Sequence, residues 1–194
     1  MRLGFLGGSF DPIHCGHLQA ALIAAEEARL DKVYLLPTGR NWQKAPTIAP
    51  IEKRLDWAAR VAQTDERLGI LDTDIREGAI YAIDTAALLR SEFPRAELFW
   101  IIGGDQLANL HTWHQAAKLV KELGFFVLMR ENYPFIQPQL PGVRLLWAHR
   151  QPILTSSTRL RSMIAKRQNV GGLLPPCVAD DITAFYQCTP DGEK

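Results

Sequence analysis

Residues 7–17 read GGSFDPIHCGH, directly after the apolar run 3–6. Gly7 and Gly8 let a ligand approach the main chain closely. A loop that follows a strand and opens a helix also turns amide N–H groups and the helix dipole toward an anion. His14 and His17 flank Gly16, and each offers a ring N–H to a phosphate oxygen. The pattern is neither GxxxxGK[ST] nor GxGxxG, since it lacks the lysine of the first and the spacing of the second. Two other readings stay open for these residues taken alone. One is a Gly-rich turn with incidental histidines. The other is a zinc site recruiting Cys15, although no second ligand cluster completes a four-coordinate shell, so no metal ligand is assigned.

A second group lies at 155–161, TSSTRLR. Its hydroxyl residues suit a helix N-terminus, where side-chain oxygens accept from unpaired amides. Ser157 and Arg161 are four apart and share a helix face, whereas Arg159 points elsewhere and is expected at the surface. A capped helix with exposed arginines is the plainer alternative. Asp105 closes the stretch IIGGD at 101–105, and its carboxylate suits either two ribose hydroxyls or the cap of a following helix. Trp113 stands in a polar stretch, NLHTWHQ, as an aromatic platform or a core residue.

The elements that must position these groups alternate. Strands are predicted over 3–6, 32–36, 68–71, 97–102, 125–129 and 143–148, and helices over 17–30, 51–64, 81–92, 115–123, 157–166 and 176–186. Buried strands alternating with helices predict an α/β fold of one domain. It is a Rossmann-like, doubly wound, mostly parallel sheet with helices on both faces, spanning 1–187 before a tail at 188–194. In such sheets ligands sit beyond the carboxyl ends of the strands. The loops richest in polar and glycine residues follow strands, at 7–17, 38–50, 103–113 and 130–141.

Composition narrows the partners. The chain has 194 residues, 47% hydrophobic, and a formal charge of +1. No charge block offers a nucleic-acid footprint or a polybasic membrane patch. Cys15, Cys177 and Cys188 are too few and scattered for a disulfide framework. No apolar run approaches the ~20 residues of a membrane span. Residues 1–6 are too short for a signal core and carry Arg2, so a cytoplasmic location with free thiols is expected.

In order along the chain, GGSFDPIHCGH, REGAIYAIDT (76–85), IIGGD and TSSTRLR resemble the signatures of bacterial nicotinate mononucleotide adenylyltransferases, members of the HxGH nucleotidyltransferase superfamily. The resemblance covers nearly the whole chain. It implies adenylyl transfer from ATP to nicotinate mononucleotide, with pyrophosphate released and Mg2+ accompanying ATP. It implies ATP contacts from Gly8, Ser9, Phe10, His14, His17, Gly103, Asp105, Ser157, Thr158 and Arg161, with His14, His17 and Arg161 carrying the chemistry. It implies mononucleotide contacts from Lys44, Tyr81, Thr85, Trp113 and Arg130.

The departures cluster around the second substrate. The family loop PPHK or PPHR stands here as NWQK at 41–44, which keeps Lys44 but puts the neutral Gln43 in place of a histidine. Ile80 and Ala82 replace small or hydroxyl residues, and His114 replaces the tyrosine of TWY. Nicotinamide mononucleotide is therefore an alternative acceptor, and a nucleotide-binding module without turnover is an alternative class. The oligomeric state is left open.

Overall fold

A computed structural model describes residues 1–39, 46–129 and 138–188. Lys44, Arg130, the stretch 41–43 and most of the tail lie outside the described residues. The element order is β1 (Arg2–Gly8), α1 (Cys15–Glu27), β2 (Lys32–Pro37), α2 (Ile51–Ala62), β3 (Leu68–Ile70), α3 (Thr73–Arg76), α4 (Ala82–Glu92), β4 (Glu97–Gly103) and α5 (Gly104–Ala108). A 3-10 turn (Leu110–Thr112), α6 (Ala116–Glu122), β5 (Gly124–Leu128), β6 (Leu145–Trp147), α7 (Ser157–Ala165) and α8 (Ala179–Cys188) complete it.

The strands form one six-stranded sheet in the order β3-β2-β1-β4-β5-β6, and every pairing is parallel. The chain winds one way from β1 to β3, then returns to the other side of β1 at β4. The order therefore reverses between β1 and β4, the place where an open α/β sheet leaves a crevice. Strand β4 shows why both faces need cover. Phe99 and Ile101 join the core beneath α1, α2, α7 and α8, whereas Leu98, Trp100 and Ile102 join the core beneath α4, α5 and α6. Burial on both faces explains its unbroken apolar run.

Several element ends differ from the sequence reading, each for a local reason. Helix α1 starts at Cys15, two residues earlier than predicted, because His14 is its N-cap. The last helix starts at Ala179 rather than 176, after Pro175 and Pro176. Helices α3 and α5 and the 3-10 turn were not predicted, being too short for an apolar period to register. Among the described residues no helix is long and apolar enough to cross a membrane.

One polar strap joins the two helices that flank the first core. Trp57 of α2 is fully buried, and its indole N–H donates to Asp181 of α8 at 2.9 Å. Lys53 and Arg60 pair with the same carboxylate at 3.4 and 3.1 Å. The indole bond first, and these cations with it, hold the Asp181 carboxyl below its ordinary range against the opposing effect of burial. Asp181→Ala leaves a buried indole without its acceptor and is expected to cost about 1–3 kcal/mol in urea unfolding at neutral pH. A depressed aspartate stabilises above its unfolded pKa and loses that contribution as pH falls through the folded value. The gap to the parent should therefore close in acid, and a gap constant with pH would contradict this account.

Candidate active site

The loop from Gly8 to His14 lies beyond the carboxyl end of β1, next to β4 and the crevice. It turns sharply. Phe10 adopts φ 47°, a left-handed conformation costly for a bulky side chain, and the Asp11–Pro12 peptide is cis. The Phe10 ring is buried and meets the His17 ring edge-on at 5.0 Å. Phe10 thus supports His17 from below, and its side chain belongs to the core.

The two histidines cap their own helix. The His17 amide donates to His14 Nδ1, and the His14 amide donates to His17 Nδ1, both at 3.3 Å. The rings stack at 3.6 Å with an 18° interplanar angle. An Nδ1 that accepts a main-chain N–H is unprotonated, so each neutral ring carries its proton on Nε2. The pair therefore places two rings, each with an Nε2 donor, at a helix N-terminus without an acidic residue in its first turn. Gly16 between them has no room for a side chain: a Cβ would sit 2.8 Å from the Ile153 carbonyl and 3.0 Å from His14 Nδ1.

Cys15 is half-buried, with its amide bonded to the Leu173 carbonyl at 2.9 Å. Burial, with Cys177 nearby, raises its thiol pKa. Among the described residues no group of three or more His, Cys, Asp or Glu side chains is arranged to hold a metal ion.

Helix α7 brings the second motif against this loop. Ser156 is its N-cap and accepts from the Arg159 amide at 3.2 Å, while Arg159 itself is exposed. Ser157 donates to the Pro12 carbonyl at 2.9 Å, and Arg161 Nη1 donates to the Asp11 carbonyl at 2.6 Å. The four-residue spacing thus puts both side chains on the face that meets the first loop. Since the Ser157 hydroxyl proton is used on Pro12, Ser157 fastens the helix to the loop. Thr158 is exposed and accepts from Arg161 Nη2 at 3.4 Å. On β4, Gly103 is the N-cap of α5, so Asp105 sits in the first turn of that helix and is not its cap.

On the opposite side of the sheet, Tyr81 precedes α4 and its ring meets His114 at 4.2 Å between centroids. The REGAIYAIDT and TWH segments are thus brought together. Trp113 is half-buried against the core beneath α4 to α6. The Thr85 side chain is 2% exposed and its hydroxyl donates to Asp74 at 2.5 Å. Its amide donates within the helix, to the Tyr81 carbonyl at 3.3 Å.

Three residues beneath the site were not identified in the sequence. Arg54 is 1% exposed, and its guanidinium donates to the carbonyls of Ser9, Thr38 and Ala49 at 2.6, 2.9 and 3.2 Å. The Asp11 carboxylate accepts from the Ile48 and Ala49 amides at 2.9 and 2.8 Å and from the Tyr186 hydroxyl at 2.5 Å. A signal existed for Arg54, which shares the apolar face of α2 with Trp57, Ala58 and Val61. None existed for Tyr186.

A sequence profile of the cytidylyltransferase-like family matches residues 5–163. The probable nicotinate-nucleotide adenylyltransferase of Opitutus terrae is 38% identical over 178 residues, 90% of this chain and 91% of its own. That of Neisseria meningitidis serogroup B is 38% identical over 191 residues, covering 92% and 94%. Among solved structures, nicotinic acid mononucleotide adenylyltransferase from Plasmodium falciparum, complexed with NaAD, superposes with a TM-score of 0.79 at 16% identity, covering 96% and 97%. At that identity the likeness supports the fold alone.

Burial pushes the Asp74 carboxyl above its ordinary range; the bond from Thr85 opposes this and Asp84 adds to it. The native chain then keeps this proton to higher pH than the unfolded chain. Stability is full below the ordinary aspartate pKa, near ~3.9, and falls as pH rises through the folded value. Asp74→Asn keeps a partner for Thr85 and removes the buried charge. Its melting temperature relative to the parent should therefore rise as the pH is raised from about 4 through the folded value, and a flat difference would overturn this.

Proposed function

The chain belongs to the cytidylyltransferase-like family and, within it, to the nicotinate-nucleotide adenylyltransferases, and from that premise we propose how its residues divide the work. The reaction is adenylyl transfer in NAD biosynthesis. An oxygen of the mononucleotide phosphate bonds to the α-phosphorus of ATP. The bond from that phosphorus to the bridging oxygen breaks, and pyrophosphate leaves with the electron pair. The substrate supplies the nucleophile, so the protein contributes position and charge stabilisation.

The observation that carries this assignment is the stacked, reciprocally capping pair His14 and His17. Their Nε2–H groups are suited to oxygens that gain charge as the α-phosphate is attacked, with His17 as the principal donor. Ser9 and the Phe10 amide follow the phosphate chain from Gly8. Gly103 and Asp105 take the ribose. Arg161, with the α7 N-terminus at Ser157 and Thr158, takes the β- and γ-phosphates and the departing pyrophosphate. ATP enters as a divalent-ion complex, with magnesium as the ion. The side chains assigned to the triphosphate are donors, and the Asp11 carboxylate is occupied by main-chain amides and Tyr186. A divalent ion would therefore be held by the ATP phosphates rather than by these residues, and would supply charge neutralisation there.

For the acceptor, Trp113 stacks on the pyridine ring and Tyr81 lies beside it. Thr85, bonded to Asp74, shapes the start of α4. Lys44 and Arg130 are assigned to the mononucleotide from sequence alone. The reaction is assigned to the cytoplasm.

With ATP and magnesium, pyrophosphate release should be faster with nicotinate mononucleotide than with the amide. Release with neither would overturn the function, and a preference for the amide would change only the acceptor. His17→Ala should lower kcat by about 10²–10³ while the circular dichroism spectrum is kept. Turnover near the parent's would remove His17 from the chemistry.

A further inference from the structure

The mechanism assigned above does not use the Asp11 carboxylate, yet the chain goes to some length to hold it. The residue is 5% exposed. An ionised carboxylate in such a place is unfavourable unless it is fully bonded, and an apolar residue would fill the space at less cost. Three hydrogen-bond donors and one cation converge on it from three distant parts of the chain. Oδ1 accepts from the Ala49 amide and the Tyr186 hydroxyl, while Oδ2 accepts from the Ile48 amide and faces Arg161 Nη1 at 3.7 Å. Three of its roughly four acceptor sites are taken, on both oxygens, which fixes its orientation.

The same residue grips Arg161 a second time, through its main-chain carbonyl at 2.6 Å. Arg161 is a long side chain on α7, half-buried, with many rotamers to lose. The Asp11 carbonyl holds Nη1 by a hydrogen bond, its carboxylate adds an ion pair at 3.7 Å, and Thr158 meets Nη2 at 3.4 Å. The plane of the guanidinium is therefore set by Asp11 before any ligand arrives. Burial first, and the Asp11 bond next, raise the Tyr186 hydroxyl far above the ordinary tyrosine range, so it stays a neutral donor wherever the enzyme works.

We propose that Asp11 is a positioning residue that directs Arg161 at the triphosphate, and that Tyr186, from the last helix, orients Asp11 for this purpose. The proposal rests on the assignment of Arg161 to the β- and γ-phosphates. Asp11 touches no reacting atom. A carboxylate this close also keeps the guanidinium charge paired while the site is empty. An incoming triphosphate then meets a cation already turned toward it, and none of its binding energy is spent on ordering that side chain.

The test is a double-mutant cycle read by steady-state kinetics with ATP varied. Asp11→Asn keeps the shape and removes the charge, and it should lower kcat/KM for ATP about tenfold or more, since small misplacements of a positioning group are costly. Arg161→Lys should lower it further. The double variant should be no worse than Arg161→Lys alone, because Asp11 acts through that guanidinium. Additive losses would assign Asp11 to folding only and overturn the proposal. If Asp11→Asn does not fold, the same cycle run with Tyr186→Phe applies, with the same expected non-additivity and a smaller single-variant effect. An Arg161→Lys variant with the parent's ATP constants would instead overturn the assignment of Arg161 itself, and the positioning role with it.

Discussion

A guanidinium almost without water contact lies beneath the first loop, and the shape of the site depends on it. Arg54 ties together the loop after β1 at Ser9, the end of β2 at Thr38 and the lead into α2 at Ala49. Desolvation lowers its pKa, and the fields of Asp11 and Tyr186 work against that shift. A buried cation with three carbonyl partners is held as firmly as it holds them. Its grip on the Ser9 carbonyl has a further consequence. In a planar trans peptide the C=O and the next N–H point in opposite directions, so the Phe10 amide points away from the buried side. The left-handed backbone at Phe10 is then fixed by its surroundings: Arg54 holds the residue before it, and the Asp11 network holds the one after.

The sheet supplies the frame for that arrangement. All six strands run the same way, so the ends of β1 and β4 open on one edge. The capped start of α1 and the short helix α5 meet the same crevice from two directions. Helix α7 comes from far along the chain and is fastened to Pro12 and Asp11. Two separate cores make the edge rigid, because the central strands β1, β4 and β5 are buried on both faces. Small backbone shifts at the crevice would have to displace close-packed side chains.

The alternation of apolar runs with helical segments made the α/β fold legible, and the four ordered motifs located most of the residues gathered here. What escaped the sequence is instructive. His14 reads as a ligand residue, yet it is also the helix cap, because a ring nitrogen does the work usually left to a hydroxyl or carboxylate. Arg54 reads as one charge among many on α2, and only its place among Trp57, Ala58 and Val61 hints at burial. The bond between Asp11 and Tyr186 spans 175 residues and has no local signature. The bond from Thr85 to Asp74 is likewise one that no periodicity could reveal.

The dual use of the histidine rings links folding to chemistry most directly. Each ring has two nitrogens with opposite needs. Helix capping requires an acceptor, and stabilising a phosphate oxygen requires a donor. The neutral ring satisfies both at once only if Nδ1 takes the cap and Nε2 keeps the proton. Capping thus selects the tautomer that the proposed phosphate contact needs. Two rings that cap each other at a spacing of three residues must also lie one above the other, which is the observed stack. A single histidine with a serine cap would start the helix as well, but would offer one donor. The HxGH spacing gives two, side by side, with glycine between them because the Ile153 carbonyl leaves no space for more.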